Sequence, residues 1–340
     1  MSDSFLVNTS KDHYNRHMQI GFIGLGKMGS RMAVKLLQEN HDLVVWNRSP
    51  EGISNFQFLI SNAKSNSNYK ITKTIQELVE GLKTPRIVWI MVTAGRSGSE
   101  DATQNVLDEV VQYLEQGDIV IDGGNAFYKD SEQRSEKLKA KSVKFLGIGV
   151  SGGIKAFENG YPLMVGGDKS AYDEIKPILD SLAGPNGGHA YLGTGGAGHF
   201  AKMVHNGIEY GMMQSIGEGF GVLEKAPYVF DLSQVAKLWQ KGAIVSSFLL
   251  DRAADALQKD PKLAEVSGEI DATGEAEWTV RQAKEENVPI ENIEQSLAFR
   301  KRSKTEDAVS NSFAAKLIAA LRHEFGGHEV KKKANKESVR

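Results

Sequence analysis

The chain has 340 residues, of which 40% are hydrophobic and 25% charged, as in a globular protein of one large or two ordinary domains. Its 41 basic and 43 acidic residues nearly cancel, so charge gives no reason to expect a nucleic acid or a membrane surface as the main partner. The lack of cysteine excludes disulfides, thiolate metal ligands and cysteine catalysis. No apolar run reaches the roughly 18 residues of a transmembrane helix, and the N-terminus lacks a signal-peptide core, so we expect a cytoplasmic protein.

The first half of the chain alternates between strand and helix patterns. Residues 1–17 are polar and aperiodic and predict a mobile extension. After them, short apolar runs predict strands at residues 19–24, 43–46, 86–92, 118–122 and 143–148. Because helical patterns lie between these runs, the sequence predicts an α/β fold in which residues 18–195 form a doubly wound, mainly parallel sheet.

The second half loses the strand pattern. A Gly-rich stretch at residues 184–198 marks the change, and residues 196–225 can form one long helix. Helical patterns continue to about residue 325 and predict an all-helical domain over residues 196–330. Basic residues then predict a solvated tail at 331–340. In the first half, a polar Ser/Asn run at residues 61–69 predicts a surface-loop insertion.

A glycine motif lies between the first strand and the first helix. The motif G-x-G-x-x-G is formed by Gly24, Leu25, Gly26, Lys27, Met28 and Gly29. Glycines at these positions let the backbone turn tightly and approach a pyrophosphate, which binds the free N–H groups of the helix N-terminus. The pattern predicts a Rossmann-type dinucleotide-binding domain, and the alternative is a tight turn that needs glycine for its geometry alone.

The end of the second strand bears on which dinucleotide binds. An NAD site usually has Asp or Glu here to hold the ribose 2′-hydroxyl, but this chain has Asn47, Arg48 and Ser49. An arginine can pair with a 2′-phosphate and stack on the adenine, so NADP is favoured over NAD. Arg48 can also be an ordinary exposed arginine, and the nearby Glu51 weakens the case for NADP.

Four polar side chains recur along one face of the predicted long helix. At about 100° per residue, Lys202, His205, Asn206 and Glu209 fall within an arc of about 100°. A lysine that loses its proton at neutral pH can act as a base, because burial and nearby positive charge lower its pKa from about 10.4. Glu209, two turns away, can then return a proton. The alternative is a solvated helix face with an ion pair between Lys202 and Glu209.

A small-residue loop follows the fifth predicted strand. Ser151, Gly152 and Gly153 lack bulk, so their backbone amides and the serine hydroxyl can reach an anionic or hydroxylated ligand at the carboxyl ends of the strands. An ordinary loop remains the alternative.

Taken together, the motifs resemble those of the 6-phosphogluconate dehydrogenase family, the decarboxylating enzymes of the pentose phosphate pathway. The resemblance rests on GLGKMG at 24–29, WNRS at 46–49, MVTAG at 91–95, DGGN at 122–125, VSGG at 150–153, LMVGG at 163–167, KMVHNGIEY at 202–210 and RHEFGGH at 322–328. It extends over about residues 18–328. The length is similar to that of the shorter branch, which lacks a duplicated helical region.

The resemblance implies roles for the matching residues. Lys202 would take the 3-hydroxyl proton while C3 of 6-phosphogluconate gives a hydride to NADP or NAD, and Glu209 would protonate the enol left after loss of CO₂. No metal is implied. The residues bordering the nicotinamide and its ribose would be Val92, Thr93, Ala94 and Asn125.

The resemblance also implies how the substrate is held. Its sugar-acid end would contact Asn125, Ser151, Gly152, Gly153, His205 and Asn206. Its phosphate end would contact Tyr210, Thr273, Arg300, Arg322 and His328. Arg322 and His328 would come from a neighbouring subunit, which implies a homodimer or homotetramer assembled through the helical domain.

One position departs from the family pattern. Glu277 stands just before Trp278, where the family usually has a basic residue. An acid beside a dianionic phosphate costs affinity, so either Glu277 points away or the substrate binds more weakly than is usual.

Two other functions remain open. A non-decarboxylating β-hydroxyacid dehydrogenase of the 3-hydroxyisobutyrate type shares the fold and a lysine on this helix, although His205, Glu209, Arg322 and His328 speak against it. A catalytically silent NADP-binding module is the other alternative, against which Lys202 and Glu209 argue.

Overall fold

The computed structural model describes residues 17–63, 68–93, 101–272, 274–328 and 330. Within them, eight strands form one sheet: β1 Gln19–Ile23, β2 Asp42–Trp46, β3 Tyr69–Ile71, β4 Ile87–Ile90, β5 Ile119–Asp122, β6 Lys144–Val150, β7 Leu163–Gly167 and β8 His189–Gly193. Their order is β3-β2-β1-β4-β5-β6-β7-β8, and all neighbours are parallel except β6 and β7. The predicted doubly wound, mainly parallel sheet is confirmed.

Three of these strands were not predicted. β3 has only three residues and pairs at the sheet edge, β7 ends in two glycines, and in β8 half-buried residues alternate with exposed ones. None of the three has the continuous apolar run that identified the buried strands.

The helices fall into two sets. Those between the strands are α1 Lys27–Gln38, α2 Pro50–Asn62, α3 Ile75–Glu80, α4 Ala102–Val110, α5 Tyr128–Lys139, α6 Ala156–Asn159, α7 Lys169–Glu174 and α8 Lys176–Ala183. Those after the sheet are α9 Ala197–Glu224, α10 Leu232–Trp239, α11 Phe248–Lys259, α12 Glu275–Glu285, α13 Glu291–Arg302, α14 Asp307–Ser310 and α15 Phe313–Gly326. Only helices follow β8 in the described residues, as predicted, and the long helix lies where the sequence placed it. The boundary at 195–196 falls between β8 and α9 and stays a prediction.

The sheet is buried on both faces. Phe22 and Trp89 point to the side covered by α1, whereas Ile23 and Val88 point to the side covered by α3. This alternation explains why the strands read as unbroken apolar runs. Burying each such side chain contributes about 1.5–3 kcal/mol, so the two layers fix the sheet that carries the loops at its carboxyl edge.

Glycines bring α9 unusually close to the antiparallel pair β6–β7. A Cβ on Gly198 would lie 2.3 Å from the carbonyl oxygen of Gly147 and 2.4 Å from that of Met164. A Cβ on Gly149 would lie 2.4 Å from Cβ of Lys202. The helix backbone therefore lies directly on the sheet, and Lys202 is held beside the end of β6.

Several sequence predictions fall at the margins of the described residues. The predicted loop insertion at 61–69 is wrong at both ends, because Ser61 and Asn62 continue α2 and Tyr69 begins β3; residues 64–67 lie outside the described residues. The tail at 331–340 lies outside them too, as does the N-terminal extension apart from His17, whose ring bonds to Asp42. None of the described helices has the length and apolarity needed to cross a bilayer.

We predict that Gly198→Ala lowers the free energy of unfolding by about 1–3 kcal/mol, the usual cost of an overpacked contact. Gly219→Ala, farther along α9, is the control, because no atom of the described part of the chain lies within 4 Å of the added Cβ. There alanine should stabilise the helix by about 0.5–1 kcal/mol. Urea unfolding of the two variants measures the difference, and equal midpoints would contradict close packing of α9 on the sheet.

Candidate active site

The Gly-rich turn has the geometry needed to hold a pyrophosphate. Gly24 has φ +97°, and a Cβ there would lie 2.4 Å from the carbonyl oxygen of Met91, so only glycine fits. Among the described residues, no side chain caps α1 and no atom lies within 4 Å of a Cβ placed on Gly26. A Cβ on Gly29 would lie 2.0 Å from the oxygen of Gly24. The turn therefore offers free N–H groups and open space, which fits a dinucleotide.

The turn lies where the strand order reverses. β1 pairs with β2 on one side and β4 on the other, and ligands of open α/β sheets bind at such a switch point. Val92 contacts the turn, since its Cγ1 is 2.9 Å from a Cβ built on Gly24. Thr93 is exposed beside it, and Ala94 lies outside the described residues.

The end of β2 is tied to the turn by an amide. Leu25 N donates to Oδ1 of Asn47 over 2.8 Å, and Nδ2 of Asn47 donates to the carbonyl of Ser49 over 2.8 Å. Met28 lines the cavity described next. Arg48 is exposed at this end of the sheet, where it is free to meet the adenosine end of a dinucleotide.

A cavity of about 780 Å³ opens between the carboxyl edge of the sheet and the helical domain. It brings together every described residue that the sequence assigned to the substrate: Asn125, Ser151, Gly152, Gly153, Lys202, His205, Asn206, Glu209, Tyr210, Arg300, Arg322 and His328. Thr273 lies outside the described residues. The polar row on α9, formed by Lys202, His205, Asn206 and Glu209, thus lines a cavity and does not form a solvated helix face.

The middle of the row is held in one orientation. His205 Nδ1 is 3.0 Å from Oδ1 of Asn206, and Nε2 is 3.2 Å from Oγ of Ser151. An amide oxygen can only accept, so Nδ1 carries the proton and Nε2 accepts from the serine hydroxyl. Burial and the nearby Lys202 lower the pKa of His205, which favours this neutral ring.

Burial shifts the two ends of the row in opposite directions. It lowers the pKa of Lys202, against the carboxylates of Glu209 and Glu275, which raise it. It raises the pKa of Glu209, against the cations Lys202, Arg300 and Arg322, which lower it. A lysine that loses its proton more easily and an acid that keeps it longer are suited to proton abstraction and proton return.

The far end of the cavity is cationic. Arg300 is 2% exposed, with its guanidinium carbon 3.2 Å from the centre of the Tyr210 ring, and burial lowers its pKa to about 10. Arg322 is buried nearby. Burial, with Arg322 and Arg300, lowers the pKa of His328 to about 4, so that ring is neutral at pH 7. Two guanidinium groups and a neutral imidazole can bind a phosphate.

The turn after α15 contributes to this cationic end. Arg322 and His328 line the cavity of their own chain, and their expected contribution across a subunit interface stays a prediction. Nζ of Lys27, in the Gly-rich turn, donates to the carbonyl of Gly327 over 2.9 Å. A Cβ on Gly153 would lie 2.1 Å from the carbonyl oxygen of Phe325. These contacts join the turn after α15 to both binding loops.

The structure also shows where Glu277 lies, the acid that stands where the family usually has a basic residue. Glu277 pairs with Lys301 over 2.8 Å at the surface and is absent from the cavity lining, so it points away from the cationic end. Its neighbour Glu275 is only 2% exposed and lines the cavity. Sequence reasoning missed Glu275. A sequence signal for Glu275 does exist. Glu275 lies on the apolar face of α12 with Ala276 and Thr279, and an acid is unusual at such a position.

A pyrophosphate-binding turn at a switch point, facing a half-buried lysine and acid across a cavity with a cationic end, defines a dehydrogenase that uses a nicotinamide dinucleotide and takes an anionic substrate. The sequence profile of the NAD binding domain of 6-phosphogluconate dehydrogenase matches residues 19–194, and that of the C-terminal domain of the same enzyme matches residues 198–312. The chain belongs to the 6-phosphogluconate dehydrogenase family.

Individual relatives agree with this assignment. The NAD(+)-dependent, decarboxylating 6-phosphogluconate dehydrogenase of Haloferax volcanii is 38% identical over 317 residues, which cover 93% of this chain and 99% of that protein. The Plasmodium falciparum 6-phosphogluconate dehydrogenase, solved alone, with NADP⁺ and with 6-phosphogluconate, superposes with a TM-score of 0.74 at 30% identity. That match covers 90% of this chain and 70% of the other. Relatives of the chain thus include proteins that use either dinucleotide.

The fold is shared more widely. A Mycobacterium tuberculosis 3-hydroxyisobutyrate dehydrogenase has a TM-score of 0.67 at 17% identity, and the match covers 90% of this chain and all of the other. At this identity the likeness concerns the fold alone.

Arg48→Asp should shift cofactor preference from NADP toward NAD, because an acid repels a 2′-phosphate and accepts from a 2′-hydroxyl. The expected fall in the ratio of kcat/KM for NADP to that for NAD is about tenfold or more, equivalent to about 1.4 kcal/mol. Lys70→Asp on the edge strand β3 changes charge equally and is the control. An unchanged ratio in Arg48→Asp would show that Arg48 does not select the cofactor.

Proposed function

We propose that the chain catalyses the oxidative decarboxylation of 6-phospho-D-gluconate to D-ribulose 5-phosphate and CO₂, with reduction of NADP or NAD. The supporting observation is the row from Lys202 to Glu209, which lies in one cavity between the dinucleotide turn and two buried arginines. A sugar acid with a terminal phosphate is elongated and anionic at both ends. It fits a cavity that has a lysine near one end and guanidinium groups at the other.

In this proposal the residues hold the substrate as follows. The phosphate is bound by Arg300, Arg322, Tyr210 and His328, with Thr273 as a further contact. The sugar-acid end is bound by the amides of Gly152 and Gly153, the Ser151 hydroxyl, His205, Asn206 and Asn125. Gly24, Leu25, Gly26, Met28 and Gly29 hold the dinucleotide pyrophosphate, Asn47, Arg48 and Ser49 its adenosine end, and Val92, Thr93, Ala94 and Asn125 its nicotinamide side.

The chemistry then follows from the two ends of the row. When bound, the nicotinamide accepts the hydride that leaves C3 of the substrate. Lys202, neutral beforehand, takes the proton of the 3-hydroxyl, and its ammonium then donates to the carbonyl oxygen at C3. The resulting 3-keto acid loses CO₂ because the electrons of the breaking bond flow into that carbonyl. The Lys202 ammonium gives its proton to the oxygen at C3 as the enol forms. Glu209 then protonates the carbon that lost CO₂, which becomes C1 of ribulose 5-phosphate, while the enol hydroxyl returns its proton to Lys202.

We also propose that the protein is cytoplasmic and works as a homo-oligomer. The absence of cysteine from its sequence suits a reducing compartment such as the cytoplasm. Apolar side chains of the helical domain are widely exposed, among them Val222, Tyr228, Leu238 and Ile244. A second copy that covers them would remove this surface from water. Analytical ultracentrifugation tests the assembly, and a monomer at micromolar concentration would contradict it.

Incubation of the protein with 6-phosphogluconate and either dinucleotide tests the reaction. We expect one CO₂ released for each nicotinamide reduced. Reduction without CO₂, or turnover of 3-hydroxyisobutyrate but not of the phosphorylated acid, would favour the non-decarboxylating alternative. Cofactor binding without any turnover would be the signature of a silent module.

Lys202→Ala should lower kcat by about 10²–10⁴-fold, the usual contribution of a positioned acid–base group, while cofactor binding survives. The reason is that Lys202 lies outside the Gly-rich turn. Cofactor affinity is measured by fluorescence titration and kcat by nicotinamide absorbance. Lys225→Ala, at the exposed end of the same helix, is the control. Comparable kcat in Lys202→Ala would overturn the assignment of the base.

The pH profile of kcat/KM should be bell-shaped. Activity falls at low pH as Lys202 takes up a proton and at high pH as Glu209 loses its own, and burial moves both pKa values toward neutrality. The apparent pKa values belong to the interacting pair. Glu209→Gln, which cannot ionise, should lose the fall at high pH. A profile in that variant with both limbs intact would show that another group sets the high-pH limb.

A further inference from the structure

Glu275 is a buried acid that the proposed reaction does not yet use. It is the first residue of α12, follows Gly274 at φ +103°, and is 2% exposed. The single hydroxyl proton of Thr279 is shared between two carbonyl oxygens, that of Glu275 at 2.9 Å and that of Met203 on α9 at 2.8 Å from Oγ1. The start of α12 is therefore fastened to the helix that carries Lys202.

The two carboxylate oxygens of Glu275 have different surroundings. Oε1 accepts a hydrogen bond from Nδ2 of Asn125, in the loop after β5. Oε2 is buried and has no hydrogen-bond partner among the described residues. A buried carboxylate oxygen without a donor is costly, so a cation or a ligand donor at this point of the cavity is favoured.

The hydrogen bond from Asn125 fixes the direction of its amide. A carboxylate can only accept, so the NH₂ group of Asn125 must face Glu275 and its Oδ1 must face elsewhere. Asn125 lines the cavity and follows the carboxyl end of β5, next to the switch point. The amide oxygen is thus available as an acceptor at the junction of the proposed nicotinamide and sugar-acid sites.

The titratable and charged groups around Lys202 come from four helices and the C-terminal turn. Those lining the cavity are Glu209 and His205 on α9, Glu275 on α12, Arg300 on α13, Arg322 on α15 and His328 beyond it. Only two of these groups are acids. In the proposed reaction Glu209 carries the proton that it returns to C1, which leaves Glu275 as the other carboxyl group of the cavity when Lys202 becomes an ammonium.

We propose that Glu275 is a positioning residue of the reaction: it turns the Asn125 oxygen into the cavity and supplies the negative charge that the Lys202 ammonium faces after it takes the 3-hydroxyl proton. This inference rests on the proposed function. It assigns to α12 a part in the acid–base step, whereas the sequence had pointed to this helix only for the phosphate.

Glu275→Gln tests the charge while keeping the shape, because a glutamine oxygen can still accept from Asn125. Glu275 raises the pKa values of both Lys202 and Glu209, so loss of its charge should move both limbs of the kcat/KM profile to lower pH. We also expect kcat to fall about tenfold. Glu277→Gln, two residues along the same helix and paired with Lys301 at the surface, should leave both limbs in place.

Glu275→Ala tests the positioning of Asn125, and its KM for the dinucleotide should rise whereas that of Glu275→Gln should not. If the alanine variant fails to fold, the glutamine variant alone decides. A Glu275→Gln profile that superposes on the wild type with unchanged kcat would overturn the proposal.

A readout without turnover separates this inference from the proposed function. NMR titration of ¹³Cε-labelled lysine, with the Lys202 signal assigned through Lys202→Arg, measures the pKa of Lys202 directly. That pKa should fall in Glu275→Gln and stay unchanged in Glu277→Gln. Absence of turnover in the wild type would reject the proposed function, whereas an unmoved Lys202 signal in Glu275→Gln would reject the role of Glu275.

Discussion

The close packing of α9 on the antiparallel strands β6 and β7 is the contact on which the site depends. Gly149 on β6 and Gly198 on α9 leave no room for a side chain between helix and sheet. At that distance Lys202 is half-buried beside the end of β6, and the Ser151 hydroxyl reaches His205. A wider gap would let water in and return the lysine to its ordinary pKa, because desolvation is the largest cause of the shift.

The charged groups of the row on α9 can be removed from water because groups of opposite charge lie beside them. Lys202 faces acids, Glu209 faces the cations Arg300 and Arg322, and neutral His205 lies between them. A buried charge without such partners would cost several kcal/mol or lose its ionisation. The same arrangement separates two roles along one helix, with proton removal near the dinucleotide turn and proton return nearer the cationic end.

The sequence was sufficient where local chemistry decides the structure. The buried strands, the Gly-rich turn and the long helix each have a periodicity or a glycine requirement that can be read directly, and the row on α9 follows from helical spacing. Contacts between segments that are distant in the chain could not be predicted from local sequence patterns. The bond from Lys27 to Gly327 spans 300 residues, and no pattern revealed that Arg322 reaches its own cavity. Glu275 was missed because two acids two residues apart on a helix lie on opposite faces, and only the packing of α12 shows which of them is buried.

The fate of the proton at C1 tests the central claim, that one helix separates proton removal from proton return. Turnover of 6-phosphogluconate in D₂O, followed by NMR of the product, reads that step directly. The account predicts ribulose 5-phosphate with one deuterium at a single stereochemical position of C1. It further predicts that replacing Glu209 by glutamine scrambles this position, because the enol is then protonated by solvent. Stereospecific labelling that survives the replacement at an undiminished rate would contradict the account.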